Sequence, residues 1–297
     1  MRQGGRRALA LSLIEELSAD GARPVTPQRR LAEVGFDSLA FAELAAAVER
    51  ELGVDLSWTD LDPGDRVEDV LSAVADARAR PTASALPPGI GRLQGAAELL
   101  GGWALRWWFR LRVSGADRVP VSGPAVLAMN HESALDIPVA VLACPRRITF
   151  MAKRELFKTQ FASWALCELG GFRVDRDRFD LPAVDAALEV IARGGVLGMY
   201  PEGTRSPGAL RPFLHGAAWI ALRTGAPLVP CSIAGTEHAR EARRPGAVVV
   251  HVGLHEPIAV EREEDPVRRR HLAPGVTARL REAIGAGLPR GALDPSA

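Results

Sequence analysis

From residue 124 onward, short apolar runs of strand composition alternate with stretches of helical periodicity, and this alternation limits the second half of the chain to few architectures. Runs at 125–129 (Ala-Val-Leu-Ala-Met), 147–151, 196–200, 227–233 and 247–253 have strand length, while 137–143, 155–169, 182–193 and 212–224 repeat their apolar residues at helical spacing. Such alternation predicts an α/β domain around a largely parallel sheet, because each parallel strand needs a crossover and a helix supplies it. In these sheets ligands gather beyond the carboxyl ends of the strands. The residues that directly follow 125–129 and 196–200 are therefore the first place to look for chemistry.

The first 80 residues obey a different pattern. Leu9, Leu13, Ile14 and Leu17 share one helical face, Leu39, Leu44, Val48 and Leu52 a second, and Val67, Val70, Leu71 and Val74 a third. Three amphipathic helices make a small bundle. Charge separates this part from the rest. The chain's net charge is only +1, but residues 31–77 hold twelve acids against Arg50 and Arg66, so an acidic block is joined to a basic remainder and two domains are expected. Residues 81–91 combine Pro, Gly and small residues and read as the linker. The division is 1–80 helical bundle, 81–91 linker, 92–112 amphipathic helix and 113–297 α/β domain.

In 92–112, Trp103, Trp107 and Trp108 lie among leucines and are flanked by Arg92, Arg106, Arg110 and Arg112. Indoles beside arginines suit the headgroup plane of a membrane. No run reaches the ~18 apolar residues that a spanning helix needs. The arginine-led N-terminus lacks a small-residue cleavage site, so a signal peptide is not expected. Cys144, Cys167 and Cys231 match neither a zinc spacing nor a disulfide framework and read as buried thiols in a reducing compartment.

Two blocks carry the chemistry. Asn130-His131-Glu132-Ser133-Ala134-Leu135-Asp136 follows the first strand, and Tyr200-Pro201-Glu202-Gly203-Thr204-Arg205-Ser206 follows a later one. On one ideal helix His131 and Asp136 would stand roughly 140° apart. They pair only if His131 occupies the strand-to-helix turn and the helix begins near Asp136, a start that Pro138 permits. The carboxylate then takes one ring nitrogen and leaves the other as a base, suited to an alcohol proton near neutrality. No Gly-x-Ser-x-Gly elbow is present, so an acyl-serine intermediate is not indicated. A zinc site at His131-Glu132 lacks its second histidine, since position 135 is Leu. No metal is expected.

Together these blocks resemble the glycerophospholipid acyltransferase family, of the 1-acylglycerol-3-phosphate acyltransferase type, whose patterns are NHxxxxD and (F/Y)PEGTRS. Three further segments extend the resemblance over about residues 110–260: Phe150 to Leu156 with Lys153, Gly170 to Arg176 with Arg176 at the last arginine of GxxFxxR, and Ala226 to Cys231. The resemblance implies His131 as base with Asp136 as its partner, and Arg176 and Arg205 on the acceptor phosphate. Glu202, Gly203 and Thr204 would shape the pocket. Lys153 would bind phosphate or stabilise an oxyanion. His215 departs from the family, which often has lysine there.

Leu31 to Val54, with Gly35-Phe36-Asp37-Ser38-Leu39, resembles an acyl carrier protein over about residues 5–80. Ser38 would then receive 4'-phosphopantetheine from a phosphopantetheinyl transferase, with Asp37 capping the helix and the phosphate near its first N–H groups. The two resemblances imply an acyltransferase that moves a fatty acyl group from a thioester, on a carrier protein or coenzyme A, to a lysophospholipid. The acceptor best implied is 1-acylglycerol 3-phosphate, giving phosphatidic acid, at the cytoplasmic face of a membrane. Alternatives are a lyso-aminolipid or specialised-metabolite acceptor, or a carrier module with an inactive acyltransferase half. No nucleic-acid partner is expected.

Overall fold

The computed structural model describes residues 3–18, 24–56, 61–62, 64–76, 78–79, 86, 91–175, 180–206 and 208–289. Three helices form the first unit: α1 (Gln3–Leu17), α2 (Ser38–Leu52) and α3 (Val67–Asp76), with β1 (Val54–Asp55) paired antiparallel to β2 (Arg78–Ala79). Ile14, Leu17, Phe41, Leu44, Val48, Val67, Val70 and Val74 fill its interior, so the periodicity read from the sequence is the packing that forms. Asp37 caps α2 by accepting the Ala40 N–H at 2.8 Å, and Gly53 closes the helix in the left-handed conformation.

The second unit is a seven-stranded sheet interleaved with helices, in chain order α4 (Gln94–Trp108), β3 (Arg110–Ser114), β4 (Ala125–Met129), α5 (Asp136–Ala143), β5 (Ile148–Lys153), α6 (Gln160–Glu168), β6 (Gly171–Val174), α7 (Leu181–Ala192), β7 (Val196–Met199), α8 (Gly216–Thr224), β8 (Leu228–Ala234), β9 (Val249–Leu254) and α9 (Pro266–Ala286). The strand order is β3-β9-β8-β4-β7-β5-β6, parallel at every junction except β8–β9. All five residues of β4 are buried, as expected of a central strand covered on both faces. Ala125, Leu127 and Met129 meet α5, whereas Val126 and Ala128 share a core with α7, α8 and α9.

Two strands and one α-helix of the second unit lie outside the pattern read from the sequence. Residues 110–112 were read as the end of the helix over 92–112, but α4 stops at Trp108 and Arg110 starts β3. Pairing of 110–114 with β9 supplies a parallel ladder at the sheet edge, and this outweighs continuation of the amphipathic turn. Gly171–Val174 is too short to stand out from its flanks. α9 runs through Pro274, a residue that ordinarily punctuates a helix. Burial of Ala273, Val276, Leu280 and Ile284 on one face holds it together.

The linker read at 81–91 falls within the described residues only at Leu86 and Gly91. Both are tied to the second unit, Leu86 N–H to Glu189 Oε2 at 3.1 Å and Gly91 N–H to the Cys167 carbonyl at 2.7 Å. α4 packs on α5 at Gly102 and Leu105, leaving Leu99, Trp103 and Trp107 at 77%, 72% and 57% exposure. Trp103 and Trp107 stack one helical turn apart. Phe161 and Trp164 of α6 are also exposed, and α6 is bound to the start of α4 by the Arg92–Glu168 ion pair. Among the described residues no helix is long and apolar enough to cross a membrane.

Candidate active site

β4 delivers the chain to Asn130, which is buried and bonds Ile233 of β8 in both directions: Nδ2 donates to the carbonyl and Oδ1 accepts the N–H, each at 2.8 Å. This side chain extends the β4–β8 ladder by one residue and fixes where His131 leaves the sheet. His131 Nδ1 lies 2.8 Å from Asp136 Oδ2. Asp136 opens α5 with Pro138 two residues on, so the turn places the pair as the sequence requires. The same Asp136 oxygen accepts the N–H groups of Glu132 (2.7 Å) and Ser133 (2.8 Å), and its other oxygen accepts the Thr236 hydroxyl at 2.5 Å. A carboxylate met by this many donors acts as acceptor throughout. The imidazole proton is therefore assigned to Nδ1, and Nε2 keeps its lone pair.

The loop that follows β7 clamps His131 from the other side. Glu202 Oε1 accepts the His131 N–H at 2.8 Å, and the Ser206 N–H donates to the His131 carbonyl at 2.7 Å. Tyr200 stacks on the imidazole with centroids 4.1 Å apart. The second oxygen of Glu202 accepts the Arg211 N–H at 3.0 Å. Burial raises the Glu202 carboxyl above its ordinary range, against the lowering effect of those N–H donors. Gly203 turns the loop with φ +69°, and a Cβ there would stand 2.9 Å from Leu214 Cδ1, so this position takes no side chain without strain. Thr204 and Arg205 are exposed beyond the turn. Arg205 makes no ion pair among the described residues.

Lys153 sits at the carboxyl end of β5, one strand beyond β7 on the same sheet edge, with its ammonium 3.5 Å from Glu155. Arg176 lies outside the described residues; nearby Asp175 pairs with Arg154 at 2.7 Å. His215 bonds Thr277 Oγ1 at 3.0 Å. Glu132 is buried, and its Oε2 has no hydrogen-bond partner among the described residues. Burial first, then the neighbouring Glu237 and Asp136 carboxyls, push its acid up to about 8. A crevice of about 640 Å³ between α2 and the α7–α8 pair includes Pro124 in its wall. It therefore lies at the amino end of β4, on the edge opposite His131.

Four residues with roles in this geometry escaped the sequence reading. Asn130, Tyr200 and Ser206 lie inside the two blocks, where their spacing was the available signal. Thr236 carried none, since only the β8 register brings it to Asp136.

At the start of α2, Ser38 is the first helical residue, and the side chain of the preceding Asp37 is 59% exposed. This corner fits a phosphopantetheine: the first turn of a 15-residue helix offers backbone N–H groups to a phosphate, and the exposed Asp37 beside it shows that solvent reaches the helix start.

Residues 110–234 match the acyltransferase family, and residues 8–74 match the phosphopantetheine attachment site family. The chain carries both domains. The acyltransferase domain is 31% identical over 158 residues to a chloroplastic 1-acyl-sn-glycerol-3-phosphate acyltransferase of Brassica napus, a match covering 51% of this chain and 46% of that protein. It is 29% identical over 149 residues to the 1-acyl-sn-glycerol-3-phosphate acyltransferase of Bacillus subtilis, covering 49% of this chain and 74% of that one. The chain thus spans about half the length of the plant relative. The crystal structure of the 1-acyl-sn-glycerophosphate acyltransferase PlsC from Thermotoga maritima aligns at 27% identity and TM-score 0.49, over 67% of this chain and 82% of that one.

Proposed function

We propose that this protein transfers a fatty acyl group from a thioester to the free hydroxyl of a lysophospholipid, with 1-acylglycerol 3-phosphate as acceptor and phosphatidic acid as product. The observation that carries the reading is the His131 ring. Asp136 holds it at Nδ1, the 200–206 loop holds its backbone at both N–H and carbonyl, and no described residue hydrogen-bonds Nε2.

His131 Nε2 takes the acceptor hydroxyl proton as the oxygen adds to the thioester carbonyl. The C–S bond then breaks, and the departing thiolate receives that proton from the imidazolium. Asp136 stabilises the imidazolium. Arg205, on the loop that clamps His131, binds the acceptor phosphate through its guanidinium fork. Arg176 adds a second guanidinium there, and Lys153 a cation for phosphate or oxyanion. Glu202 serves chiefly as the clamp on the His131 N–H; Gly203 makes the turn that presents Thr204 and Arg205.

A phosphopantetheine placed on Ser38 by a phosphopantetheinyl transferase would present an acyl chain as a thioester. The exposed indoles of α4, with Phe161 and Trp164 of α6, form a face suited to a membrane surface, which supports a reading in which lysophospholipid is met at the cytoplasmic face. The division that accompanies this reading is a carrier bundle at 1–80, a linker at 81–91, an interface helix ending at Trp108 and a catalytic domain from Arg110. The test is acyl transfer to lysophosphatidic acid in micelles, followed by phosphatidic acid formation. His131→Ala should cost about 10²- to 10⁴-fold; retention of activity by that variant would remove the mechanism.

A further inference from the structure

The carrier bundle is seated on the acyltransferase domain rather than only tethered to it. Glu43, midway along α2, is fully buried, and its carboxylate partners lie across the junction. Arg269 of α9 reaches it through Nε and, at 2.6 Å, through Nη2; Trp219 of α8 donates from Nε1 at 2.7 Å; Arg223 of α8 stands at 4.0 Å. A carboxylate is tolerated inside only when paired and hydrogen-bonded, so this cluster specifies which face of α2 docks. Towards the attachment corner, Arg270 donates to the Gly35 carbonyl at 2.9 Å. Its Nη1 is buried without a hydrogen bond among the described residues, 3.4 Å from Asp37 Oδ1. A guanidinium of the acyltransferase domain therefore stands beside the first turn of α2, where the carrier's phosphate would lie.

α9 connects this corner to the candidate active site. From Arg270 the helix rises roughly 16 Å to Arg281. There the guanidinium donates to the carbonyls of Leu210 (3.0 Å) and Arg211 (3.4 Å). Arg211 binds Glu202, and Glu202 binds His131. A phosphopantetheine arm has about as many backbone bonds as five residues of extended chain, roughly 17 Å. Measured along α9, the root of the arm is thus about one arm length from Arg281, whose contacts lead on to the site.

We infer that the bundle, docked through Glu43 and Arg270, is the acyl donor in cis, and that it occupies the α8–α9 face against any separate carrier. The inference rests on the proposed function and deepens it by naming the donor.

Two full-length variants test this. The His131→Ala chain is loaded with a deuterated acyl group and serves only as donor; the Ser38→Ala chain serves only as catalyst. Acyl loss is followed by intact mass with lysophosphatidic acid present. The loaded wild-type chain should transfer with a rate constant independent of protein concentration. A mixture of the two variants near 10 μM should be about 100-fold slower, because a short tether supplies an effective concentration in the millimolar range. Arg270→Ala should slow transfer in the loaded chain without shifting its melting temperature. Hydrogen exchange, read without any acyl group, should show α8 and the first turns of α9 losing protection in Glu43→Ala but not in Ser38→Ala. A mixture as fast as the wild type, or a wild-type rate that rises with concentration, would overturn cis delivery and leave the acyltransferase reading standing. A loaded wild-type chain that keeps its acyl group while consuming acyl coenzyme A would overturn both the Ser38 donor and the inference.

Discussion

Asp136→Asn isolates the charge of the carboxylate from its geometry. The three donors on one side of Asp136, His131 Nδ1 and the N–H groups of Glu132 and Ser133, require an oxygen there. An asparagine can meet them with its carbonyl and turn its amide towards Thr236, whose hydroxyl rotates from donor to acceptor. The imidazole keeps its orientation and its Nδ1 proton, so the tautomer loss that makes this exchange severe in serine proteases does not arise. What is lost is the attraction between the carboxylate and the imidazolium formed as the proton moves. At about 4 Å and an effective dielectric near 20 that attraction is about 4 kcal/mol, the equivalent of roughly 10³ in rate. Some is recovered by the neutral hydrogen bond, so kcat should fall about 10²- to 10³-fold, with KM for lysophosphatidic acid and the melting temperature nearly unchanged. Steady-state kinetics on acyl coenzyme A and lysophosphatidic acid, with a thermal melt of the same sample, measures both. A variant within about threefold of wild type would show that the charge contributes nothing to the barrier.

Glu43→Ala should destabilise the protein by about 3–5 kcal/mol, because Arg269, only 5% exposed, loses its counter-charge; a urea titration reads the loss, and the double replacement of Glu43 and Arg269 by Leu should restore most of it. The raised acid of Glu132 makes the folded state keep a proton that the unfolded chain releases. Its contribution to stability should therefore fall as pH rises from about 4.5 to about 8 and level off above; Glu132→Gln should flatten that slope in urea midpoints taken across the range. Replacing Trp103 and Trp107 by Ala should weaken sedimentation with anionic vesicles by at least about tenfold per indole, while activity on acceptor dispersed in detergent persists. Gly203→Ala should lower activity, since φ +69° disfavours a side chain and its Cβ would crowd Leu214.

The catalytic pair was legible because its chemistry is local. Five residues and one strand-to-helix turn bring His131 to Asp136, and Pro138 marks where the turn ends. Similar local signals gave the three faces of the bundle and the strands on either side of the site. What stayed hidden is held by long-range register. Thr236 reaches Asp136 across one hundred positions only because β8 lies beside β4. The Glu202 clamp could not be told from a pocket wall, because the sequence gives the spacing of the loop but not the direction of its carboxylate. The first three residues of β3 continue the helical pattern in the sequence because its edge pairing depends on β9, which follows it by more than a hundred residues. The acid excess of the bundle marked it off from the basic remainder, but it did not single out Glu43 from Glu49 and Glu51 on the same helix.

That last point bears on how the two domains meet. Complementary net charge attracts over a Debye length and is screened by salt, so it brings surfaces together without fixing one orientation. Glu43 does what net charge does not. Its carboxylate accepts from a guanidinium fork and an indole N–H at once, and such a set is satisfied in one arrangement of α2 on α8 and α9. A slip of one helical turn would bury the charge without partners, a cost several times that of a lost surface pair. The acidic surface and the buried cluster therefore act at different stages, the first in approach and the second in register. Raised salt should slow the approach of separated halves while leaving the docked arrangement intact, and only a change at Glu43 or Arg269 should free the bundle to sample other faces.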